Sequence, residues 1–308
     1  MRWNKLGMVF KPDGRLPWAR THATCPTPVV LEDRIRVYIQ CRDEKNVGRI
    51  GFVDLDARDP RRVIYVHPDP VLDIGLPGTF DENGVFQTCV LRVDQDRMFL
   101  YYVGFELGTQ IRYRLLTGLA ISRDGGLTFE RVRKTPILER SNQELYFRCG
   151  PWVVRENGNF RMWYIGGSQW TDVHGKQIPV YDIRHIRSND GVAWPDHGAS
   201  CVHVQGSDEI GFGRPYVVPH GAGLRMFYSI RLRSLGGAYT VGMADSVDGE
   251  RWIRKDAALG LVPGPPGAWD STHLDYLAAV ECSGGAYLLY NGNDFGLTGF
   301  GVAELTSG

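Results

Sequence analysis

Short apolar runs alternate with polar, glycine-rich breaks along this chain, and the runs recur on a fixed spacing. Five of them close on a tyrosine: "RVYIQ", "FLYYVG", "RMWYIG", "RMFYSI" and "YLLYNG". The tyrosines Tyr38, Tyr102, Tyr164, Tyr228 and Tyr290 stand 64, 62, 64 and 62 residues apart. A repeat of that period marks stacked or radial units. Roughly ten residues before each tyrosine lies a second apolar run: "TPVVL", "TCVLR", "PWVVR", "PYVVP" and "LAAVE". Turn residues such as "DQD", "ENGN" and "HGAG" separate the two, which is a hairpin signal. A third run follows each tyrosine: "GRIGFVDLD", "LTGLAIS", "IRHIRS", "YTVGMADS" and "GFGVAEL".

In units two, three and four the third run ends in Ser-x-Asp-Gly and an aromatic residue: "SRDGGLTF", "SNDGVAW" and "SVDGERW". Asp bonds nearby backbone amides and Gly tolerates positive φ, so the motif predicts a tight turn into a fourth strand. The fifth unit stops after its third run. The N-terminal "RWNKLGMVF" resembles the outer strand "RWIRKDAALGLV" and is expected to complete that last sheet, removing an open edge. No helical period persists beyond a turn or two. The expected fold is all-β: one domain over residues 1–308, a five-bladed β-propeller of four-stranded antiparallel blades.

In such a fold the first strands surround an axis, and side chains at equivalent places converge. Aligning these strands on Val29, Val90, Val153, Val217 and Ala279 puts Arg20, Asp81, Glu144, Asp208 and Asp270 nine residues upstream. Nearer the strands come His22, Cys25, Gln87, Arg148, Cys149, Arg214, His273 and Asp275. Carboxylates converging from different blades suit acid–base chemistry on a glycosidic bond, because an inverting pair needs about 6.5–9.5 Å between carboxyl groups. Glu144 is the expected general acid, with Asp81 or Asp275 as base. Arg148, Arg214, Asp208, His22, His273 and Gln87 are expected to bind substrate hydroxyls or an anionic group. Trp170 and Trp269 stand ready to stack on a sugar, and the polar segment Ser168–Gln177 is expected to form a lid. Asp81, Asp208 and Asp270 equally fit a loop-pinning role, Glu144 stands in a less turn-like stretch, and the arginines also fit a structural ion-pair network.

Composition narrows the partners. Lys plus Arg number 35 against 35 Asp plus Glu, so no overall field draws in nucleic acid or an anionic membrane. No apolar stretch reaches membrane-spanning length, and "MRWNKLGMVFKPDGR" lacks a leader's apolar run. The six cysteines show no zinc spacing and fit reduced thiols in a cytoplasmic chain. No metal or other cofactor is called for. The expected partner is a carbohydrate or another polyhydroxylated or anionic small molecule.

The five repeats, the "A-x-S-x-DG-x-x-W" unit ends and the "x-P-x-V-V" inner strands resemble the five-bladed propellers of glycoside hydrolase families 43, 32, 68 and 130. The resemblance covers nearly all residues. It implies a cleft at one end of the axis and three carboxylates: a base or nucleophile, a supporting Asp and a Glu acid. Where it implies aspartates, in "TCPT" and "FRCGP", this chain has Cys25 and Cys149, and "GFGRPYVV" carries no Glu. Three functions follow as expectations. One is a glycoside-active enzyme on an intracellular oligosaccharide or glycoconjugate. Another is a phosphorylase resembling family 130, with Arg148, Arg214 and His273 holding phosphate. The last is a non-catalytic propeller that binds a sugar or a partner in a polysaccharide or natural-product pathway.

Overall fold

The computed structural model describes residues 1–307. β1 (Arg2–Phe10) is followed by β2 (Thr21–Val30), β3 (Arg34–Arg42), β4 (Gly48–Asp56) and β5 (Val63–Val66). Then come β6 (Val85–Arg92), β7 (Met98–Leu107), β8 (Tyr113–Ser122) and β9 (Glu130–Arg131). The middle of the chain forms β10 (Phe147–Glu156), β11 (Asn159–Val173), β12 (Lys176–Ser188) and β13 (Ala199–Val202). β14 (Glu209–His220), β15 (Gly223–Leu232), β16 (Tyr239–Ser246) and β17 (Ile253–Arg254) follow. β18 (Asp275–Cys282), β19 (Gly285–Asn291) and β20 (Phe300–Ser307) end the described chain, with a single helical turn, α1 (Asn293–Gly296), before β20.

Consecutive strands pair antiparallel. β2-β3-β4-β5 and β14-β15-β16-β17 are separate sheets, and β18-β19-β20 takes β1 as its fourth strand. The remaining eight-stranded sheet is two such meanders, β6 to β9 and β10 to β13, joined where β8 and β10 run parallel for two residue pairs. β1 lies along β20 from Arg2 opposite Ser307 to Phe10 opposite Phe300, so the edge of β20 is covered by the other end of the chain. The first strands β2, β6, β10, β14 and β18 pack beside one another in that order, and β18 packs back against β2. The recurring tyrosines all sit on second strands and are fully buried.

The Ser-x-Asp-Gly turns join neighbouring meanders. In each, the serine hydroxyl accepts a glycine N–H (Gly126 at 2.8 Å, Gly191 at 3.0 Å, Gly249 at 2.8 Å). The aspartate accepts two further amides, as Asp190 does from Val192 and Ala193. The glycine carbonyl, turned inward, takes a hydrogen bond from an aromatic residue of the preceding meander. Tyr38 Oη donates to Gly126 O at 2.9 Å, Tyr101 Oη to Gly191 O at 2.9 Å and Trp163 Nε1 to Gly249 O at 2.7 Å. The motif is therefore a turn and a staple at once, which explains the stapled glycine, in unit two the residue just after Asp124-Gly125: Gly126 has φ 86°, and a Cβ there would sit 2.0 Å from Tyr38 Oη.

This gives a controlled expectation. Gly125 has φ 77° but open space around a Cβ. Gly125→Ala therefore meets only backbone strain, about 1 kcal/mol, whereas Gly126→Ala also breaks the staple and should lose roughly 2–4 kcal/mol. Urea denaturation of the two variants measures the difference; equal losses would refute the staple.

Candidate active site

Three of the buried acids, and the half-buried Asp256, belong to one recurring clamp, in which a tyrosine hydroxyl and a cation share a carboxylate. Asp81 accepts from Tyr102 Oη at 3.0 Å, Arg131 Nε at 2.7 Å and Thr79 Oγ1 at 2.8 Å. Glu144 accepts from Tyr164 Oη at 2.7 Å and pairs with Arg148 at 2.5 Å and Arg184 at 3.0 Å. Asp270 takes Tyr290 Oη at 3.1 Å and Lys5 Nζ, from β1, at 2.6 Å. In the fourth meander the acid is Asp256, on Tyr228 Oη at 2.6 Å and Arg254 Nη2 at 2.7 Å. Asp208, aligned with these acids in sequence, instead caps the Ser234 turn through that residue's N–H at 2.7 Å and hydroxyl at 2.6 Å. The structure thus does not bring Asp81, Glu144 and Asp208 together. Each satisfies groups of its own sheet: Asp81 and Glu144 reach the hydroxyl of their own tyrosine, and Asp208 reaches the Ser234 turn.

The arginines divide similarly. Arg148 is spent on Glu144 and on the carbonyls of Glu139 and Pro195. Arg214, 1 % exposed, crosses the hub from β14 and donates to Pro26 O of β2 at 3.0 Å, with Thr88 O of β6 at 3.4 Å and Leu277 O of β18 at 3.5 Å. Gln87 donates to Thr24 O, Cys25 O and Tyr38 O, tying β6 to the first meander. Register shifts interrupt every first strand at a matching place: Thr24/Thr27, Gln87/Cys89, Cys149/Trp152, Gly213/Tyr216 and Asp275/Ala278. Bulges re-aim side chains, and here they turn Arg214 inward.

Strain is concentrated at one end of this hub. Of the eight described non-glycine residues with positive φ, Asn46, Asn157 and His174 lie in ordinary turns. The other five are His22 (61°) and Cys25 (59°) on β2, Tyr276 (52°) on β18, and Asp294 (55°) and Phe295 (56°) in α1. These segments are in contact: Thr24 Oγ1 donates to Phe295 O at 2.7 Å, Asp294 N–H to His273 Nε2 at 2.8 Å, and Asn291 Nδ2 to Ala23 O at 2.7 Å. Such strain persists where the surroundings hold it, and it gathers at functional sites.

Asp275 lies in the middle of this strained patch. It opens β18 opposite Asn291, is 0 % exposed, and neither carboxyl oxygen has a hydrogen-bond partner. Burial pushes its carboxyl well above the usual range. The Arg231 guanidinium and the Phe295 N–H, nearby but outside hydrogen-bond geometry, oppose the rise, and the Asp294 carboxylate adds to it. Asp294 itself is exposed. In the same strained segments burial, then the charge of Arg42, pushes His22 down to about 4, and burial lowers His273. Burial thus favours the neutral form of the Asp275 carboxyl.

An aromatic wall leads away from Asp275. Tyr239 packs on Tyr276 at 5.9 Å and on Phe295 at 5.7 Å, and its hydroxyl meets that of Tyr181 at 2.6 Å. Phe147 continues the wall from Tyr181 at 5.5 Å to Trp170 at 5.3 Å. Trp170 thus joins the wall, with its indole N–H buried and unpaired. Trp269 does not; it stacks on Tyr290 at 5.3 Å, inside the last sheet. The expected lid at Ser168–Gln177 is also corrected. β11 and β12 stay paired through Asp172 opposite Gln177, with His174 and Gly175 as the turn, so the segment is a long hairpin whose backbone bonds are satisfied. Among the described residues no group of three or more His, Cys, Asp or Glu side chains gathers in a way that could hold a metal, and all six cysteines are free. No helix is long and apolar enough to cross a membrane.

Comparison with known proteins places this geometry. The chain is 34% identical over 311 residues to the uncharacterized protein Rv1502 of Mycobacterium tuberculosis H37Rv, covering 99% of both chains. The chain belongs to the Rv1502 family. No protein-family model matches it. Among solved structures, one titled "Glycoside hydrolase" superposes with a TM-score of 0.75 at 17% identity, over 99% of this chain and 92% of its own. A thermostable family-43 glycoside hydrolase gives 0.63 at 14% identity, over 96% and 91%. This member of the Rv1502 family therefore has the fold of the family-43-type glycoside hydrolase propellers.

Sequence reasoning placed Asp275, His22, His273 and Trp170 here but missed Arg231, Tyr239, Tyr276 and Asp294. Arg231 and Tyr239 flank the β15–β16 turn, away from the first strands on which the alignment was built. The "NGNDFG" stretch after β19 was the available signal for Asp294. A titration follows. Since the folded-state carboxyl of Asp275 lies above its unfolded value, its contribution is complete at low pH and is lost as pH rises through the folded value. Asp275→Asn should therefore be increasingly more stable than wild type from about pH 5 to about pH 8. Thermal melts across that range check it; a constant or shrinking gap would contradict the assignment.

Proposed function

We propose that this protein is a glycoside-active enzyme, that its meanders are the five blades of a closed propeller, and that its reacting centre lies at Asp275. One observation carries the reading: a buried, unpartnered carboxyl on a strained, bulged first strand, in a fold shared with glycoside hydrolases. A carboxyl kept neutral by burial is suited to give a proton to a leaving oxygen. In the proposed reaction the glycosidic carbon–oxygen bond breaks and the leaving oxygen takes the Asp275 proton. A water oxygen bonds to the anomeric carbon and its proton passes to Asp294. Tyr181, Tyr239 and Tyr276 offer hydroxyls and ring faces to the sugar. Asp81 and Glu144 are assigned to holding their sheets, and Arg214 to the hub.

Turnover of a panel of α- and β-linked glycosides tests this. Asp275→Asn should lower kcat by at least about 100-fold, the usual scale for a lost general acid. Asp81→Asn should lower the melting temperature while leaving kcat per folded molecule within about threefold. A wild type that binds sugars but turns over none of the panel would favour the binding-protein reading. Loss of kcat in Asp81→Asn with none in Asp275→Asn would move the centre to the clamp.

A further inference from the structure

The buried arginines of this protein come with their counter-charges, with two departures. Arg36 is paired with Asp54 at 2.9 Å, Arg148 with Glu144 at 2.5 Å and Arg161 with Glu156 at 3.2 Å. Arg214 lacks a carboxylate but is bonded to backbone carbonyls of three strands. Arg231 has neither. It is 7 % exposed, its Nε has no partner, and no carboxylate of the described residues comes within ion-pair reach. It is held by rings alone, 4.7 Å from the centroid of Tyr239 and 5.7 Å from that of Tyr181. Cation–π contact holds a guanidinium in place but supplies no counter-charge. Burying an unpaired charge is expensive and is tolerated where a partner arrives from outside.

The location of Arg231 says what that partner is. Asp275, the buried acid on which its charge acts, lies outside hydrogen-bond reach and forms no ion pair with it, so the guanidinium charge is left uncompensated. The same wall carries a second unpaired buried donor, the Trp170 indole N–H, reached through Tyr113 at 5.2 Å. A planar fork of N–H donors, locked between phenol rings, matches the paired oxygens of an oxyanion. We propose that the substrate of this site brings an anionic oxygen group, a sugar carboxylate or a phosphate, and that Arg231 binds it. The proposal rests on the reading of the site as sugar-processing and adds to it the charge of the substrate. Arg148, Arg214 and His273, the sequence's candidates for an anion, are already occupied by Glu144, by carbonyls and by the Asp294 amide.

The experiment is calorimetric titration of wild type, Arg231→Lys and Arg231→Met with glucuronate, galacturonate, inorganic phosphate, glucose and galactose at fixed ionic strength. Wild type is expected to bind at least one anion about tenfold or more tightly than the neutral sugars. Arg231→Met should lose that preference and Arg231→Lys keep part of it. Preference for a uronate identifies a sugar carboxylate; preference for phosphate identifies a phosphate group. Equal binding of charged and neutral ligands by wild type, including none of either, overturns the proposal, as does full preference in Arg231→Met. If Arg231→Met does not fold, wild type and Arg231→Lys decide. Turnover separates the two readings: wild type that cleaves neutral glycosides with no anion preference sinks only this inference, whereas anion binding without turnover sinks only the enzyme.

Discussion

One guanidinium sits where five first strands meet. Arg214 leaves β14 and reaches backbone carbonyls of β2, β6 and β18, so a single side chain bonds to strands 188, 126 and 63 residues away in sequence. A hydrogen bond from a charged donor contributes roughly 1.5–3 kcal/mol, and an unpaired buried carbonyl costs a comparable amount. The hub is therefore filled by a cation that can be satisfied only if several first strands arrive together at the right depth. The bulges at matching places on all five strands create that depth. Where the bulge residue is Arg214 it plugs the centre; where it is Tyr276 it faces the strained end.

The remaining buried polar groups are sorted by whether the fold satisfies them. The acid–tyrosine–cation clamps and the Ser-x-Asp-Gly staples are complete: every donor and acceptor named in them has a partner within the sheets. Completed networks hold a structure rigid. The orphans are few, and three of the groups concerned, on Asp275, Arg231 and Trp170, belong to one strained patch and its aromatic wall. The others lie elsewhere, on Gln87 Oε1 and Arg214 Nε at the hub and on Arg148 Nε, which meets Glu144 only as an ion pair. The left-handed backbone at His22, Cys25, Tyr276, Asp294 and Phe295 lies in segments tied to one another by the Thr24–Phe295, Asp294–His273 and Asn291–Ala23 hydrogen bonds.

The architecture was largely legible because its signals are local and repeated. The tyrosines at 38, 102, 164, 228 and 290, the hairpin turns and the unpaired last edge each report a short-range constraint, and the strands, their order and the pairing of β1 with β20 follow from them. The site was less legible because alignment identifies equivalent positions, not the direction in which a side chain turns. Asp81 and Glu144 occupy a repeated position, and repetition proved to mark a clamp. Asp275 was found through its place on a first strand. Arg231 was invisible as a site residue: one arginine among many in the sequence, distinguished only by the absence of a partner, which is a three-dimensional property. The hairpin at Ser168–Gln177 looked like a loop because its residues are polar, yet its backbone ladder continues to the turn.

The chemistry proposed here depends on Asp275 being a neutral acid in a folded protein at neutral pH. Difference infrared spectroscopy of wild type and Asp275→Asn, with carboxyl-labelled aspartate, observes that state directly. A protonated-carboxyl carbonyl band that is present at neutral pH in wild type and missing in the variant is the predicted result. An Asp275 that contributes only carboxylate bands at neutral pH would contradict it, and would leave the site without its proton donor.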